Sequence, residues 1–283
     1  MTEAAIQRMV PGAGGNLAVY LEGDPGAPAV LMTHSILSSS RMWRQQSTLL
    51  ARQGFRVVRV DARGHGASQA PPPPYTMDDL AADSVHVLDR LGIDRAHYVG
   101  LSLGGMSGFG LGIHHGERWL SLCLCDARAD APASVAAPWD ERIDVAQRER
   151  SCASLAGPTI ERWFGKRFID ANPVIAERFL QTAAATRVDG FAGCARAIQG
   201  LNYLAEVGRI ALPTTFIVGA NDGVLPQAMR DLQALVPRAV LEVIPDAGHL
   251  PNIDQPDLFN AALLRHFERI APQPSQPLLE PNP

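Results

Sequence analysis

Lysine is almost absent from this chain. Its 283 residues include a single lysine, Lys166, among 25 lysine and arginine residues, and the formal net charge is −4. The arginines are scattered, so the chain lacks the basic runs with which proteins bind nucleic acid or an anionic membrane surface. We therefore expect neither nucleic acid nor a membrane among its partners.

Cysteine and long hydrophobic runs are also scarce. The four cysteines, Cys123, Cys125, Cys152 and Cys194, are too few and too irregularly spaced for a disulfide framework, so we expect buried thiols. No apolar run approaches the ~18 residues of a membrane-spanning helix. The first residues lack the charged and apolar segments of a signal peptide, and a cytoplasmic protein is the default expectation.

The chain is rich in apolar segments that alternate between strand and helix patterns. Hydrophobic residues make up 46% of the sequence, enough for a sizeable core. Short apolar runs are separated by amphipathic segments, which predicts a mostly parallel central sheet covered by helices on both faces. The predicted strands are residues 17–21, 29–33, 55–60, 96–99, 120–125, 215–218 and 239–244.

Several of the predicted helices carry boundary signals. Thr76, with Asp79 three residues later, resembles a capping box, and Gly92 ends the helix that starts there. The final helix is predicted over about residues 256–270. The helix that follows residues 96–99 is rich in glycine, which costs about 1 kcal/mol per residue relative to alanine. We expect these glycines to allow tight packing of helix against sheet.

One interval breaks the alternation of strands and helices. Residues 130–209 contain no convincing strand and have a helical pattern throughout, which predicts a helical lid inserted before the late strands. Residues 1–129 and 210–270 then form a single α/β core. Residues 271–283 contain too much proline to fold locally and are predicted to form a tail.

The pentapeptide Gly-Leu-Ser-Leu-Gly at residues 100–104 is the most informative motif of the chain. It directly follows a predicted strand and has the Gly-x-Ser-x-Gly pattern of a nucleophile elbow, a strained turn that exposes a serine hydroxyl. Ser102 is therefore the candidate nucleophile. Because this pentapeptide also occurs by chance in many proteins, its meaning depends on the residues that follow it.

Two later residues complete the pattern. Asp222 and His249 each come just beyond a predicted strand. The chain order serine, aspartate, histidine, with each residue past a strand end, is typical of the α/β-hydrolase fold. Histidine can accept the serine proton because its ordinary pKa of about 6.5 leaves a neutral imidazole, and a buried carboxylate orients that imidazole. We predict a triad of these three residues.

The choice of the acid has alternatives. Asp126 follows another predicted strand, and some members of this fold place the acid at that position. Asp246 is too near the histidine in sequence to orient it easily, so Asp222 is preferred to both. His34 and His65 lie at strand ends but precede the nucleophile, and we expect them to shape loops.

Acyl transfer also requires two preorganised donors for the oxyanion that forms on the substrate. The backbone N–H of Leu103, directly after the nucleophile, is the first. The second is expected from the loop after Thr33, and by position we choose the N–H of Ile36. This chemistry needs no metal ion and no organic cofactor.

The chain resembles the α/β-hydrolases and, among them, is most similar to the 3-oxoadipate enol-lactonases. The similarity covers about residues 8–268. The residues that carry it are His-Ser-Ile-Leu at 34–37, Arg-Met-Trp at 41–43, Asp-Ala-Arg-Gly-His-Gly at 61–66, Gly-Leu-Ser-Leu-Gly-Gly-Met at 100–106, Trp-Asp-Glu-Arg-Ile at 139–143, Glu-Arg-Trp-Phe at 161–164 and Gly-His-Leu-Pro-Asn at 248–252.

The resemblance implies an activity and a substrate. Members of that family hydrolyse a dianionic enol-lactone without a metal or organic cofactor. Arg128, Arg142 and Arg162 are candidates to bind the substrate carboxylates, with salt bridges inside the lid as the alternative. Trp139 and Trp163 either line an apolar substrate pocket or pack within the lid.

The function predicted from the sequence is a serine hydrolase that cleaves a small carboxylic ester or lactone through an acyl-enzyme on Ser102. The runner-up is a C–C bond hydrolase of the same fold, which usually carries a tryptophan where this chain has Leu250. A third hypothesis is a non-catalytic protein of this fold that binds a small molecule. The sequence is compatible with a homo-oligomer and leaves the oligomeric state open.

Overall fold

The computed structural model describes residues 5–12 and 14–270. The tail predicted at residues 271–283 lies outside them. An eight-stranded sheet forms the centre of the described chain. Its strands are β1 (Ile6–Gly12), β2 (Gly15–Glu22), β3 (Ala29–Thr33), β4 (Arg56–Val60), β5 (Ala96–Leu101), β6 (Trp119–Cys125), β7 (Thr214–Gly219) and β8 (Ala239–Ile244).

The strand order in the sheet is β1-β2-β4-β3-β5-β6-β7-β8. Strand β2 runs antiparallel to both β1 and β4. The other neighbouring pairs, β4-β3, β3-β5, β5-β6, β6-β7 and β7-β8, are parallel. The predicted mostly parallel sheet is therefore confirmed. Because parallel strands end at the same sheet edge, the loops after β3, β5, β6, β7 and β8 all open on one side.

Helices cover both faces of this sheet. Adjacent β5 residues point to opposite faces, and Tyr98 bonds to Ser107 of the helix after β5, whereas His97 packs against Phe267 of the last helix. The helices are α1 (Arg44–Arg52), α2 (Met77–Arg90), α3 (Leu103–His114), α4 (Ala133–Ala136), α5 (Pro138–Glu149), α6 (Ala153–Ala171), α7 (Pro173–Ala184), α8 (Val188–Gln199), α9 (Leu225–Leu235), α10 (Pro251–Asp254) and α11 (Pro256–Ile270).

Helix α2 begins at the predicted capping box. The Asp79 backbone N–H donates to the Thr76 hydroxyl oxygen at 3.1 Å, and the Thr76 N–H donates to the Asp79 carboxylate at 2.8 Å. Two of the amide groups that a helix leaves free at its start are thereby satisfied. None of the helices within the described residues is both long enough and apolar enough to cross a membrane.

The glycines of α3 permit the close packing that the sequence predicted. A Cβ atom on Gly104 would lie 2.3 Å from the Thr33 hydroxyl oxygen, and one on Gly108 would lie 2.4 Å from a methyl carbon of Leu124. Both distances are below any real Cβ contact. The first turns of α3 therefore lie directly on β3 and β6, which places the start of this helix at the sheet edge.

Residues 130–209, which we call the helical insertion, separate β6 from β7. They contain α4 to α8 and a short 3-10 helix, Val207–Arg209. The two ends of the insertion meet: the Ala131 N–H donates to the Leu201 carbonyl at 2.9 Å, and the Tyr203 N–H donates to the Ala129 carbonyl at 2.7 Å. The chain thus leaves the sheet and returns to it at nearly the same point.

Candidate active site

Ser102 occupies a strained turn between β5 and α3. Its backbone has φ 56° and ψ −111°, a conformation that costs a non-glycine residue about 1–3 kcal/mol. The Ser102 N–H donates to the Cys125 carbonyl at 2.9 Å, and the Ser102 carbonyl accepts from Met106 at 2.7 Å. A Cβ on Gly100 would lie 2.4 Å from the Gly104 carbonyl oxygen, so only glycine fits there. The motif therefore has the geometry of a nucleophile elbow.

A continuous hydrogen-bond chain joins Ser102, His249 and Asp222. The His249 Nε2 lies 2.9 Å from the Ser102 Oγ, and the His249 Nδ1 lies 2.6 Å from the Asp222 Oδ2. Because a carboxylate only accepts, Nδ1 carries the proton and donates it, which leaves the Nε2 lone pair for the serine hydroxyl. All three residues are at most 5% exposed. The three side chains predicted from distant parts of the sequence lie together.

Asp126 lies beside Asp222 rather than in its place. One ligand atom from each of Asp126, Asp222 and His249 lies within 4.8 Å of the other two. The Oδ1 of Asp126 accepts the Gly219 N–H at 2.9 Å, and its Oδ2 has no hydrogen-bond partner among the described residues. His249 is bonded to Asp222, so the geometry favours Asp222 as the orienting acid.

The two carboxyl groups differ in their preferred charge. Burial raises the pKa of Asp126 well above its ordinary value, and the nearby Asp222 carboxylate raises this pKa further. Burial acts on Asp222 in the same direction, but the adjacent His249 and then Arg162 hold its pKa below the ordinary value. At neutral pH we therefore expect a neutral Asp126 and an ionised Asp222. Asp246, the third candidate, is exposed in a turn.

His34 and His65 organise the loop after β3. The Nε2 of His34 accepts the Ala62 N–H at 2.9 Å, and the Nε2 of His65 accepts the Leu37 N–H at 3.1 Å. Burial lowers the pKa of both histidines, that of His65 to about 3, so both rings stay neutral. Their contacts agree with the expectation that these histidines shape loops.

The two backbone amides predicted to form an oxyanion hole are free of other hydrogen bonds to the residues that the structure describes. The Leu37 N–H is committed to His65, whereas the Ile36 and Leu103 N–H groups have no hydrogen-bond acceptor in the described part of the chain. Leu103 is the first residue of α3, where the helix leaves its amides free. Ile36 follows β3, the sheet neighbour of β5, so its loop and the elbow start at the same sheet edge. Two unsatisfied donors are what a developing oxyanion requires.

Two consecutive residues of α6 contact the triad. The guanidinium of Arg162 lies 3.7 Å from the Asp222 Oδ1. The Trp163 side chain is buried, its ring centre lies 6.3 Å from that of His249 at an interplanar angle of 28°, and its carbonyl accepts the His249 N–H at 2.9 Å. The sequence did not predict this backbone contact, because no side-chain pattern reports a carbonyl acceptor.

The other candidate substrate-binding residues lie elsewhere in the helical insertion or at its start. Arg142 lies over the Trp139 ring at 4.4 Å and donates to the Thr159 hydroxyl at 2.8 Å. Burial and, to a lesser extent, the nearby Arg162 lower the pKa of Arg142 to about 10. Arg128 forms an ion pair with Asp130 at 3.0 Å, so its charge is already compensated.

The chain belongs to the α/β-hydrolase family. The family model for the alpha/beta hydrolase fold matches residues 28–256. Among curated proteins, the chain is 34% identical over 251 residues to 3-oxoadipate enol-lactonase 2 of Acinetobacter baylyi, a match that covers 88% of this chain and 91% of that protein. The similarity to this group that the motifs predicted is therefore confirmed.

Solved structures agree with this assignment. A hydrolase from Pseudomonas aeruginosa has a TM-score of 0.88 and 35% identity, over 92% of this chain and 98% of that one. The enol-lactonase from Burkholderia xenovorans LB400 has a TM-score of 0.86 and 28% identity, over 92% of this chain and all of that one. The chain is a hydrolase of the carboxylic ester and lactone class.

Proposed function

We propose that the protein is a serine hydrolase in which Ser102 is the nucleophile, His249 the general base and Asp222 the acid that orients His249. The observation that carries this proposal is the unbroken chain of hydrogen bonds from Asp222 through His249 to Ser102, at 2.6 and 2.9 Å. A serine hydroxyl attacks a carbonyl only when a neighbouring base takes its proton, and this chain supplies that base.

The reaction follows from these positions. As the Ser102 Oγ attacks the carbonyl carbon, its proton passes to the His249 Nε2 and the carbonyl electron pair moves to oxygen. The Ile36 and Leu103 N–H groups stabilise that oxyanion. When the intermediate collapses, the ester C–O bond breaks and the leaving oxygen takes the proton from His249. Water then cleaves the acyl-enzyme by the same steps and restores Ser102.

The helical insertion serves as a lid that determines the substrate. It places Arg142 beside Trp139 and Arg162 beside Asp222, and the two arginines are near enough for Arg162 to lower the pKa of Arg142. Arg142 has no carboxylate partner among the described residues. A substrate carboxylate would supply the missing counter-charge to this half-buried cation.

The proposed substrate is therefore a small lactone or ester that carries a carboxylate. The enol-lactonases among the relatives support a lactone of the 3-oxoadipate type as the first compound to test. Trp139 forms apolar surface next to Arg142, and Trp163 is buried behind His249. Arg128 is the weakest of the three arginine candidates for substrate binding because it already forms an ion pair with Asp130.

The mechanism is tested by Ser102→Ala, measured with p-nitrophenyl acetate. We expect a loss of roughly 10⁶-fold in kcat, the scale seen when a triad serine is removed in subtilisin. Ser154→Ala, which removes an exposed hydroxyl of α6, is the matched control and should behave like the unmodified protein. Hydrolysis that persists in a folded Ser102→Ala variant would exclude Ser102 as the nucleophile.

The substrate class is tested by comparing kcat/KM for 3-oxoadipate enol-lactone, neutral lactones and short acyl esters. Arg142→Gln should raise KM for the anionic lactone by about 10-fold or more, since a charge-assisted contact contributes roughly 1.5–3 kcal/mol. The same variant should leave KM for a neutral ester nearly unchanged. Arg196→Gln, which removes a surface arginine paired with Asp140, is the control. Equal losses on both substrates would contradict carboxylate recognition.

A further inference from the structure

The loop that carries His249 is held by the helical insertion as well as by its own strand. The His249 backbone N–H donates to the Trp163 carbonyl at 2.9 Å. The Trp163 indole, only 2% exposed, lies nearly parallel to the imidazole at 6.3 Å between ring centres. Backbone and side chain of one insertion residue thus contact the backbone and side chain of the proposed base.

Gly248 shows how close this approach is. A Cβ atom at this position would lie 2.2 Å from the Trp163 carbonyl oxygen, which is backbone and cannot rotate away. The φ angle of Gly248 is not in the left-handed region, so the backbone conformation does not require glycine. The contact with Trp163 does. The Gly248 N–H also donates to Asp254 at 2.6 Å, which holds the loop from its other side.

A break in α6 makes the Trp163 carbonyl available. Inside a regular helix this carbonyl would accept the N–H four residues later. Gly165, with φ 72° and ψ 158°, interrupts α6 two residues after Trp163, and such a break disturbs the regular hydrogen bonding of the preceding turn. A Cβ on Gly165 would meet no atom within 4 Å. Glycine is therefore favoured at this position by the positive φ angle and not by a close contact.

Arg162 brings the same segment to the acid. Its guanidinium lies 3.7 Å from the Asp222 Oδ1, the carboxylate oxygen that is not bonded to His249. The titratable groups that surround Asp222 are therefore His249 after β8, Asp126 after β6 and Arg162 in α6. Neighbouring residues of one helix contact the proposed base and the proposed acid.

We propose that Arg162 and Trp163 are positioning residues of the triad: the Trp163 carbonyl and indole hold His249, and the Arg162 guanidinium holds Asp222, so that the helical insertion sets the geometry of proton transfer. This proposal rests on the function proposed above. It predicts that disturbing the contact lowers kcat even for a small neutral ester, to which the arginines of the insertion offer no charge-assisted contact.

Gly248→Ala tests the contact with His249. With p-nitrophenyl acetate we expect kcat to fall at least 10-fold while KM changes less than about twofold, because the base is displaced and the substrate contacts remain. Gly200→Ala is the matched control, since its new Cβ would make only ordinary contacts of 3.6 Å or more within the insertion. Thermal melting of both variants shows that they are folded.

Arg162→Gln tests the contact with Asp222, and it decides the question if Gly248→Ala does not fold. The Arg162 side chain is 59% exposed, so we expect this variant to fold. Because Arg162 lowers the pKa of Asp222, its removal should raise that pKa and move the acid limb of the kcat/KM profile to higher pH. Arg162→Lys should restore the original midpoint, and Arg196→Gln should not move it.

The outcomes separate this inference from the proposed function. The positioning role would be overturned if kcat is unchanged in folded Gly248→Ala and the pH profile is unchanged in Arg162→Gln. If Ser102→Ala is inactive in the same experiments, the serine mechanism is still supported. Activity in Ser102→Ala would overturn the mechanism itself. A fall in kcat with the predicted pH shift, reversed by lysine, supports the positioning role, because a merely structural contact would not move the profile.

Discussion

At the scale of single residues, the site contains two buried carboxyl groups whose surroundings push their charge states apart. Asp222 faces His249 and Arg162, whereas Asp126 faces Asp222 and one backbone amide. Two neighbouring carboxylates cannot both ionise cheaply in a buried site, so the one with cationic partners keeps the charge. The proposed acid is thus distinguished from its neighbour by its environment and not by its residue type.

Replacing each carboxyl by its amide separates their roles. Asp222→Asn should lower kcat by about 10⁴-fold, as the corresponding change does in chymotrypsin-type enzymes, because the amide fails to fix the imidazole tautomer. Asp126→Asn should keep kcat within about threefold, because a neutral amide resembles the neutral acid expected there. Steady-state rates on one ester at neutral pH compare the two. The reverse ranking would identify Asp126 as the acid.

The raised pKa of Asp126 also predicts a pH dependence of stability. A folded-state pKa above the unfolded value of 3.8 means that the folded protein binds one more proton than the unfolded chain at pH values between the two. The free energy of unfolding then falls as pH rises from 3.8 towards the folded-state pKa, by about 1.4 kcal/mol per pH unit for this group. In Asp126→Asn this contribution is absent.

Urea unfolding of the original chain and of Asp126→Asn between pH 4 and 8 measures the difference (about 4 being the unfolded pKa of an aspartate). We expect the amide variant to gain stability relative to the original chain as pH rises. A constant difference across this range would show that Asp126 ionises at its ordinary pKa and would remove the argument for a neutral acid beside Asp222.

Residue identities in the proposed triad could be predicted from the sequence, because nucleophile, acid and base follow strand ends in a fixed order. Contacts made by backbone atoms could not. The contact joins the backbone carbonyl of Trp163 to the backbone N–H of His249, and almost every residue type carries both groups. In the sequence, only Gly165 and Gly248 indicate that the two segments approach each other. Trp163 could be predicted near the site, but its placement behind the imidazole could not.

At the scale of elements, α3 can lie close to the sheet because its glycines have no side chains. A helix with larger residues at 104 and 108 could not lie on β3 and β6 as it does, and Ser102 would move with it. Glycine normally weakens a helix by about 1 kcal/mol relative to alanine. Here that cost is offset by the close approach of helix and sheet, which fixes the elbow at the sheet edge.

Gly108→Ala should therefore destabilise the protein, although alanine is the better helix former. The new Cβ would lie 2.4 Å from Leu124 and 2.7 Å from the Tyr98 ring, and such overpacking costs roughly 1–3 kcal/mol. Gly116→Ala, just beyond α3, meets no atom within 4 Å and should change stability by less than about 0.5 kcal/mol. Equal melting temperatures for both variants would contradict this packing argument.

The strands differed in how well the sequence predicted them. Buried strands such as β3 and β5 form apolar runs that stand out from their surroundings. Strand β1 was missed because it forms the sheet edge and is mostly exposed: Ile6 and Met9 are 55% and 46% exposed, so no alternating or buried pattern marks it. Its position is determined by pairing with β2, which is a long-range property.

At the scale of the whole molecule, the strand order accounts for the site. Ser102, Asp126, Asp222 and His249 follow β5, β6, β7 and β8, which are neighbours in the sheet, so residues far apart in the chain meet at one edge. The helical insertion lies between the second and third of these strands and reaches back over the others through α6. We propose that its fold determines which ester or lactone is accepted.

The packing of the insertion limits what the sequence alone could predict about the substrate. Its helical character was predicted, but whether Arg142 or Arg162 faces a ligand depends on how α5, α6 and α8 pack together. That packing rests on contacts such as Trp139 with Phe191 at 6.2 Å, which join residues far apart in sequence. No local pattern encodes them.

The serine mechanism is tested most directly by labelling with a phosphonofluoridate, followed by mass spectrometry of the intact protein and of its peptides. We predict one phosphonyl group per chain, located on the peptide that contains Ser102, with loss of esterase activity in proportion to labelling. The folded Ser102→Ala variant should remain unlabelled. An unmodified Ser102 peptide in folded protein that has lost its activity, or an adduct on another residue, would contradict the account.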